Sequence, residues 1–550
     1  MCLHPGPIGE IPPETVRIAR AAFPKGTVVS RLRDEFGGLY EDQDFCGLYP
    51  KRGQPGLAPW RLALVTVFQF LENLSDRQAA DAVRTWIDWK YALGLELTDP
   101  GFHFSVLTEF RARLVARDAG HLLLDRMLDH FKARGLVKAR GRQRTDSTHV
   151  LAAVHDLNLL ELVGETLRNA LDDLAAAAPD WLRVIAPPAW FERYTRRLEE
   201  YRLPKGREAR EALALEIGAD GVLLLASLDA PDAPAKARAV SMVRTLREVW
   251  RVHYTCGDGG RLRWRRSEEL PPVAERMQSP HDPEAHFSMK RQLAWVGYKV
   301  HVTETCEDDA AHLVTNVMTC PAMQPDMTST AGIHEGLAAR GLLPMEHFVD
   351  SGYVDAGLLV SSQRTHGISL EGPVRGTASR PARAGQGYDL PHFAIDWDRE
   401  QVTCPQGKAS VSWRRERIGN SKTRICAQFS RSDCKPCPAR ALCTPATAAR
   451  RCVNFHPREE YEALNAARAR MNDPAWQERY HRRAGVEGTL SQAVRAFGMR
   501  RSRYIGLAKT TLQQVCIAVG MNVSRVVHWL DGLPRARTRV PPFAALGQAA

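Results

Sequence analysis

Three acidic residues, Asp146, Asp350 and Glu487, stand where carboxylates could converge on hard cations. Asp146 lies inside a β-like run, RQRTDSTHVLAAV; Asp350 closes HFVD; Glu487 sits in YHRRAGVEG. Open α/β sheets present ligands at the carboxyl ends of their strands, and a carboxylate from a packed helix can meet one there. Converging carboxylates do not help a core, because buried charge is costly without partners. They suit divalent cations, which take oxygen ligands. Two such ions about 3.5–4 Å apart can activate an attacking oxygen and stabilise a leaving one in phosphoryl transfer. Each acid taken alone has a plainer reading. An Asp at a strand end is more often a cap or turn residue, and a Glu on a helix is usually solvated. Asp355 competes with Asp350, and Asp282 competes for a place beside the metal.

The residues around Glu487 carry more chemistry. Tyr480, Arg483, Glu487, Ser491 and Val494 fall within one narrow sector at 3.6 residues per turn. Such a stripe is not a core stripe. It offers a cation for phosphate, a metal ligand and a hydroxyl. Gly485 and Gly488 flank the glutamate, each costing about 1 kcal/mol of helix stability relative to Ala. A close backbone approach would offset that cost. From Tyr480 to Lys509 there are six arginines and one lysine against a single acid, Glu487. A solvated face mixes signs; a one-sign surface beside a lone carboxylate fits a phosphate backbone. Arg483, Arg495, Arg500, Arg501, Arg503 and Lys509, with Tyr480 and Tyr504, would position a nucleic-acid strand rather than read its bases.

Six of the 12 cysteines lie between residues 404 and 452. Cys404, Cys434, Cys437 and Cys443 are spaced as C-x29-C-x2-C-x5-C. Four thiolates close a structural zinc site; the alternative is buried, inert cysteines. Cys426 and Cys452 are nearby spares. Trp413, in SVSWRRER, reads as a core or edge-strand residue, with stacking on an unpaired base as the other reading. His149 and His301 read as structural, since a two-metal site needs no histidine base.

These groups must be positioned by a chain of 550 residues, which implies two to four modules. With 44% hydrophobic residues it can build real cores, and its formal charge of +12 favours a polyanionic partner. No apolar run is long enough to span a bilayer, the start lacks the apolar core of a secretory signal, and no phosphate-binding GxxxxGK[S/T] loop occurs. A cytoplasmic protein without ATP, membrane or disulfides is expected.

Residues 1–135 read as helical. Ser75-Asp76 caps a helix through Ala79, Val83, Trp86, Ile87 and Tyr91, and a second runs from Phe104 to Leu114. The pair could form a DNA-binding module, although periodicity alone favours an ordinary bundle. Residues 136–155, 279–365 and 456–531 read as one α/β unit: a strand at Asp146, a hairpin from Trp295, then helix, strand, helix, strand. That order implies a mixed sheet covered by helices. Residues 156–278 form a helical insertion, 366–455 a β-rich insertion with the cysteines, and 532–550 a loose tail.

Taken together, TDSTHV at 145–150, AWVGYKVHVTET at 294–305, FVDSGYVD at 348–355, the cysteine segment 404–443 and RRSRYIGLAKTTLQQVCIAVGMNVSRVVHWL at 500–530 resemble the DDE transposases of bacterial insertion sequences. The branch resembled carries a Tyr-x2-Arg-x3-Glu-x6-Lys signature. Tyr480, Arg483 and Glu487 match it, but Val494 stands in place of the lysine. Arg495 or Lys509 could supply the missing phosphate contact. The resemblance implies an RNase H-like fold. It implies Asp146, Asp350 and Glu487 as ligands of two Mg²⁺ or Mn²⁺ ions. Its partners would be terminal inverted repeats and target DNA, held by a homodimer in a nucleoid-associated complex. The implied reaction is endonucleolytic cleavage at the element ends, then attack of the freed 3′-hydroxyl on target DNA, with no covalent enzyme–DNA intermediate. Two alternatives stand: an inactive transposase-derived DNA-binding repressor, and a related nuclease without strand transfer.

Overall fold

The computed structural model describes residues 2–154, 157–198, 203–290, 292–376, 386–419, 422–444 and 450–534. At its centre is a curled, six-stranded mixed sheet. In chain order its strands are β1 (Arg142–Leu151), β2 (His286–Lys290), β3 (Leu293–Thr305), β4 (Val314–Pro321), β5 (Glu346–Phe348) and β6 (Ser369–Glu371). β1 runs antiparallel to β3 along one edge of that strand, while β2 and β4 share its other edge in succession. On its far side β1 pairs in parallel with β5, and β5 with β6. The Trp295 hairpin, the helix Asp326–Ala339 and the helix Ala356–His366 fall where the hydrophobic pattern places them. β5 stops at Phe348, two residues short of Asp350, which instead caps a 3₁₀ turn, Ser351–Tyr353.

The N-terminal helices share one continuous core with this sheet. The bridge between them is the helix Leu507–Leu530, which packs on Pro59–Leu71 and Leu122–Ala133 as well as on β4. It is apolar nearly all round, with Leu512, Val515, Ile517, Val519, Val523 and Val526 buried. A helix buried on all sides belongs inside a large core rather than on its surface. The stretch from Ala79 to Tyr91 is two helices, Asp76–Thr85 and Ile87–Leu93, because Trp86 takes an extended conformation between them. The Ser75 cap holds, as a capping box with Gln78.

The helices between Leu159 and His253 enclose a second core of their own. The segment is not wholly helical, since Tyr254–Cys256 and Leu262–Trp264 form a short hairpin. Among the described residues from 386 to 455, a pair and a triplet of antiparallel strands surround a third small core. Trp413 packs edge-on against Trp397 and Phe455 there, at 5.8 and 5.1 Å between ring centres, in keeping with a core role. Most of the expected C-terminal tail lies outside the described residues.

Candidate active site

The first two carboxylates come from neighbouring segments. The parallel register ends at Arg144 and Phe348; Asp146 lies two residues farther along β1, and Asp350 caps the turn that follows β5. A third acid arrives from the helix Gly485–Phe497. Asp146, Asp350 and Glu487 line one cleft of about 860 Å³. Asp146 is 9% exposed. Its Oδ1 accepts the Ser147 N–H at 2.7 Å and its Oδ2 the Arg483 guanidinium at 2.6 Å. Burial pushes its carboxyl above the ordinary range and the Asp350 charge adds to this, while Arg483 and the Ser147 N–H pull the other way. Asp350 Oδ1 accepts the Gly352 N–H at 2.7 Å. Glu487 is largely exposed, and its Oε1 meets Arg483 at 3.2 Å. Arg483 therefore bridges two of the three acids.

The rivals lie elsewhere. Asp355 caps the helix Ala356–His366 and pairs with Lys422 at 2.9 Å. Asp282 is fully buried, accepting the Tyr298 hydroxyl at 2.6 Å. His149 packs at a tilt against Trp295 at the cleft wall. His301 is buried against the Tyr353 hydroxyl at 2.7 Å, and burial lowers its pKa to about 4.

The stripe from Tyr480 to Val494 is not one α-helix. The helix Pro474–Tyr480 tightens into a 3₁₀ turn, His481–Ala484, before the helix of Glu487 begins. Arg483, Glu487, Ser491 and Val494 still reach the cleft. Tyr480 instead stacks on Trp476 and donates its hydroxyl to the Val349 carbonyl at 3.0 Å. The close approach expected at Gly485 is present, since a methyl there would lie 2.0 Å from Arg144 Nη1. Gly488 has nothing within 4 Å.

What fixes this helix is a buried ion cluster that the sequence did not single out. Glu304 of β3, 0% exposed, sits where the β3–β4 register shifts. It accepts Arg144 at 2.7 Å, Arg525 at 2.7 Å and the Thr489 hydroxyl at 2.6 Å. Thr489 lies on the helix of Glu487, two residues on. Arg144 also donates to the Arg482 carbonyl.

The basic residues divide. Arg495 and Arg500 line the cleft, and Arg500 donates to the Thr148 hydroxyl at 2.9 Å. Arg501 is exposed in a segment that pairs with the end of β1. Arg503 lies over Phe70 and donates to the Leu74 carbonyl, anchoring the C-terminal region to the N-terminal helices. Tyr504 lies beneath Arg111, and burial pushes its hydroxyl up to about 12. Lys509 is exposed outside the cleft. Two further cleft cations, Lys290 and Lys299, were not foreseen. Their strands read only as alternating β patterns.

Cys404, Cys434, Cys437 and Cys443 line a second, small cavity of about 40 Å³ in the insertion. Burial raises the Cys443 thiol, and the other three add to the effect by proximity. Cys426 and Cys452 lie apart from it, on paired strands. All 12 cysteines are free thiols. Among the described residues, no three His, Cys, Asp or Glu side chains stand at metal-holding geometry, in the cleft or in this cavity. No described helix is long and apolar enough to cross a membrane.

The class of protein the site defines is thus one with a mixed sheet that sets carboxylates in a cleft edged by arginine and lysine. The comparisons with known proteins are consistent with this. Residues 403–527 match the model of a transposase DDE domain, and residues 18–113 match the DUF772 transposase domain. Together they support a DDE transposase of the insertion-sequence type. Glu487 and the four cysteines fall inside the first match; Asp146 and Asp350 fall outside both. No curated protein matches the chain.

Proposed function

We propose that this transposase cleaves DNA at the ends of its element and joins the freed 3′-hydroxyl to target DNA on an RNase H-like sheet. The observation that carries the reading is the meeting of Asp146 from a strand, Asp350 from the turn after the neighbouring strand and Glu487 from a C-terminal helix, in one cleft with Arg483, Arg495 and Arg500. The donor set is all carboxylate oxygen, which suits Mg²⁺ or Mn²⁺. Asp146 is buried and Asp350 adds repulsion, an arrangement that a divalent ion relieves. Two like charges about 5 Å apart repel by about 3 kcal/mol at an effective dielectric of 20. Bound ions would supply Lewis acidity to the phosphate and a more nucleophilic water or hydroxyl.

The chain's own groups do the rest. Arg483 pairs with both Asp146 and Glu487, offsetting one of their two charges and holding both side chains toward the cleft. Arg495 and Arg500 offer guanidinium donors to phosphate oxygens, with Arg501 and Lys509 farther along the strand's path. The exposed Glu487 is the acid most able to move. Binding to the inverted repeats is assigned to residues 1–135, in a homodimer assembled on DNA. The four cysteines that line one small cavity would hold a structural zinc ion if their thiolates closed on it, bracing the β-rich insertion.

The test is a supercoiled plasmid bearing the element ends, incubated with protein and Mg²⁺. Asp350→Ala keeps end binding and loses cutting. Wild-type cutting rates in that variant refute the assignment. Binding without any cutting by the native chain supports a DNA-binding repressor instead, and cutting without joined products supports a nuclease.

A further inference from the structure

A fourth carboxylate, Asp326, lines the same cleft, and its surroundings tie it to both aspartates. It is the first residue of the helix Asp326–Ala339. On one side the Ser147 hydroxyl donates to Asp326 Oδ1 at 3.4 Å, while the Ser147 N–H donates to Asp146. On the other side is a gap beside Gly352. The position a Cβ would take there is 2.9 Å from Asp350 Oδ1 and 3.4 Å from Asp326 Oδ2. Two carboxylate oxygens thus face one small space that only a glycine leaves open. The Tyr353 hydroxyl feels the charge of all three aspartates.

Asp326 is not free in this state. Lys299 of β3 donates to Asp326 Oδ1 at 2.8 Å and to the Gln324 carbonyl at 2.7 Å. Both side chains of the pair are 15% exposed. This repeats the arrangement across the cleft, where Arg483 holds Asp146. A carboxylate this buried needs a counter-charge, and the Lys299 ammonium provides it.

We propose that Asp326 is a further ion-binding carboxylate of this cleft, supplying an oxygen beside Asp350 and held by Lys299 until a divalent ion displaces that lysine. The inference rests on the reading of the cleft as a metal site. It separates from a purely structural role by sign. If Lys299 competes with the ion for Asp326, removing the lysine strengthens ion binding while removing the carboxylate weakens it. If the two merely brace the fold, losing either one acts alike.

The experiment is Mn²⁺ binding to the full-length, DNA-free protein, read from the electron paramagnetic resonance of free Mn²⁺. Asp326→Asn is expected to raise the Kd for Mn²⁺ about tenfold or more, and Lys299→Met to lower it several-fold. Unchanged binding in Asp326→Asn, or weaker binding in both variants, overturns the proposal. If Asp326→Asn melts well below the wild type, the direction of the Lys299→Met change decides alone. Asp350→Asn is the reference: should it leave Mn²⁺ binding intact, the metal reading of the cleft fails. Should it abolish binding while Asp326→Asn does not, only the role of Asp326 fails.

Discussion

Glu304→Gln replaces a carboxylate by an amide of nearly the same shape, 0% exposed between Arg144 and Arg525. The substitution leaves two arginines without their shared counter-charge, Arg144 6% and Arg525 16% exposed. Removing one partner of a buried ion pair costs about 3–5 kcal/mol. The lower end applies here, because both arginines keep other acceptors. Arg144 still reaches the Arg482 carbonyl, and Arg525 the His312 carbonyl and Gln492. A loss of about 3 kcal/mol lowers the melting midpoint by about 3–5 °C for a core of this size. The pH dependence is a second check. Burial pushes the Glu304 carboxyl up, but Arg525, Arg144 and Thr489 outweigh it and hold it below the ordinary range. A depressed carboxyl contributes stability above its unfolded value, about pH 4.3, and loses it as pH falls through the folded value. The gap between wild type and variant should therefore be full at pH 7 and shrink below about pH 4. Thermal melts across that range measure it, with plasmid cleavage assayed in parallel because the cluster also holds the helix of Glu487. A variant that melts with the wild type at pH 7, or a gap that widens in acid, refutes the reasoning.

Gly485→Ala should lower the melting temperature by the equivalent of about 1–3 kcal/mol through overlap with the Arg144 guanidinium. Gly488→Ala, with open space around it, should stabilise by up to about 1 kcal/mol; thermal melts of the two variants should move in opposite directions. Pure protein should contain about one equivalent of zinc, and Cys437→Ser should lose it together with resistance of the insertion to proteolysis. Arg500→Ala should weaken DNA binding at every sequence and reduce its salt slope by about 1. Arg503→Ala, which unties the C-terminal region from Phe70 and Leu74, should lower stability with little change in that slope.

The sheet was largely legible because its strands announce themselves twice, by alternation and by neighbouring turns. The hairpin around CEDDAA and the strand at Asp146 follow from that pattern. Asp146 reads from the sequence as a residue within a strand, as it is, and Asp350 as a strand-end residue, although the strand stops two residues before it. That Asp350 lines the cleft while Asp355 caps the next helix was not legible, since either could take either place. Chain connectivity was harder to read than element type. Nothing in periodicity says that Pro59–Leu71 packs on Leu507–Leu530, so the N-terminal helices looked like a separate body. The basic residues were counted as one surface, yet Arg503 and Tyr504 face the N-terminal helices rather than the cleft. Lys299, Glu304 and Asp326 escaped notice because a single charge in a strand or at a helix start is common, and only the fold shows which ones face inward.

The cleft's acids are held by different means, and this predicts which changes each tolerates. Asp146 is held on β1, which is laddered to β3 along its length and to β5 at its start, and a one-residue slip would turn every side chain of that strand to the other face. Asp350 follows β5 by two residues and is fixed by its cap on the Gly352 N–H. Glu487 has no such ladder. Its helix follows a 3₁₀ turn and is secured to the sheet through Arg144, Glu304, Thr489 and Arg525, with Arg483 as the contact inside the cleft. Side-chain charges can be broken singly, whereas a strand ladder yields only with the fold. The third acid is therefore where position can change without unfolding the sheet. Substitutions at Glu304 or Thr489 should shift Glu487 while leaving Asp146 beside Asp350.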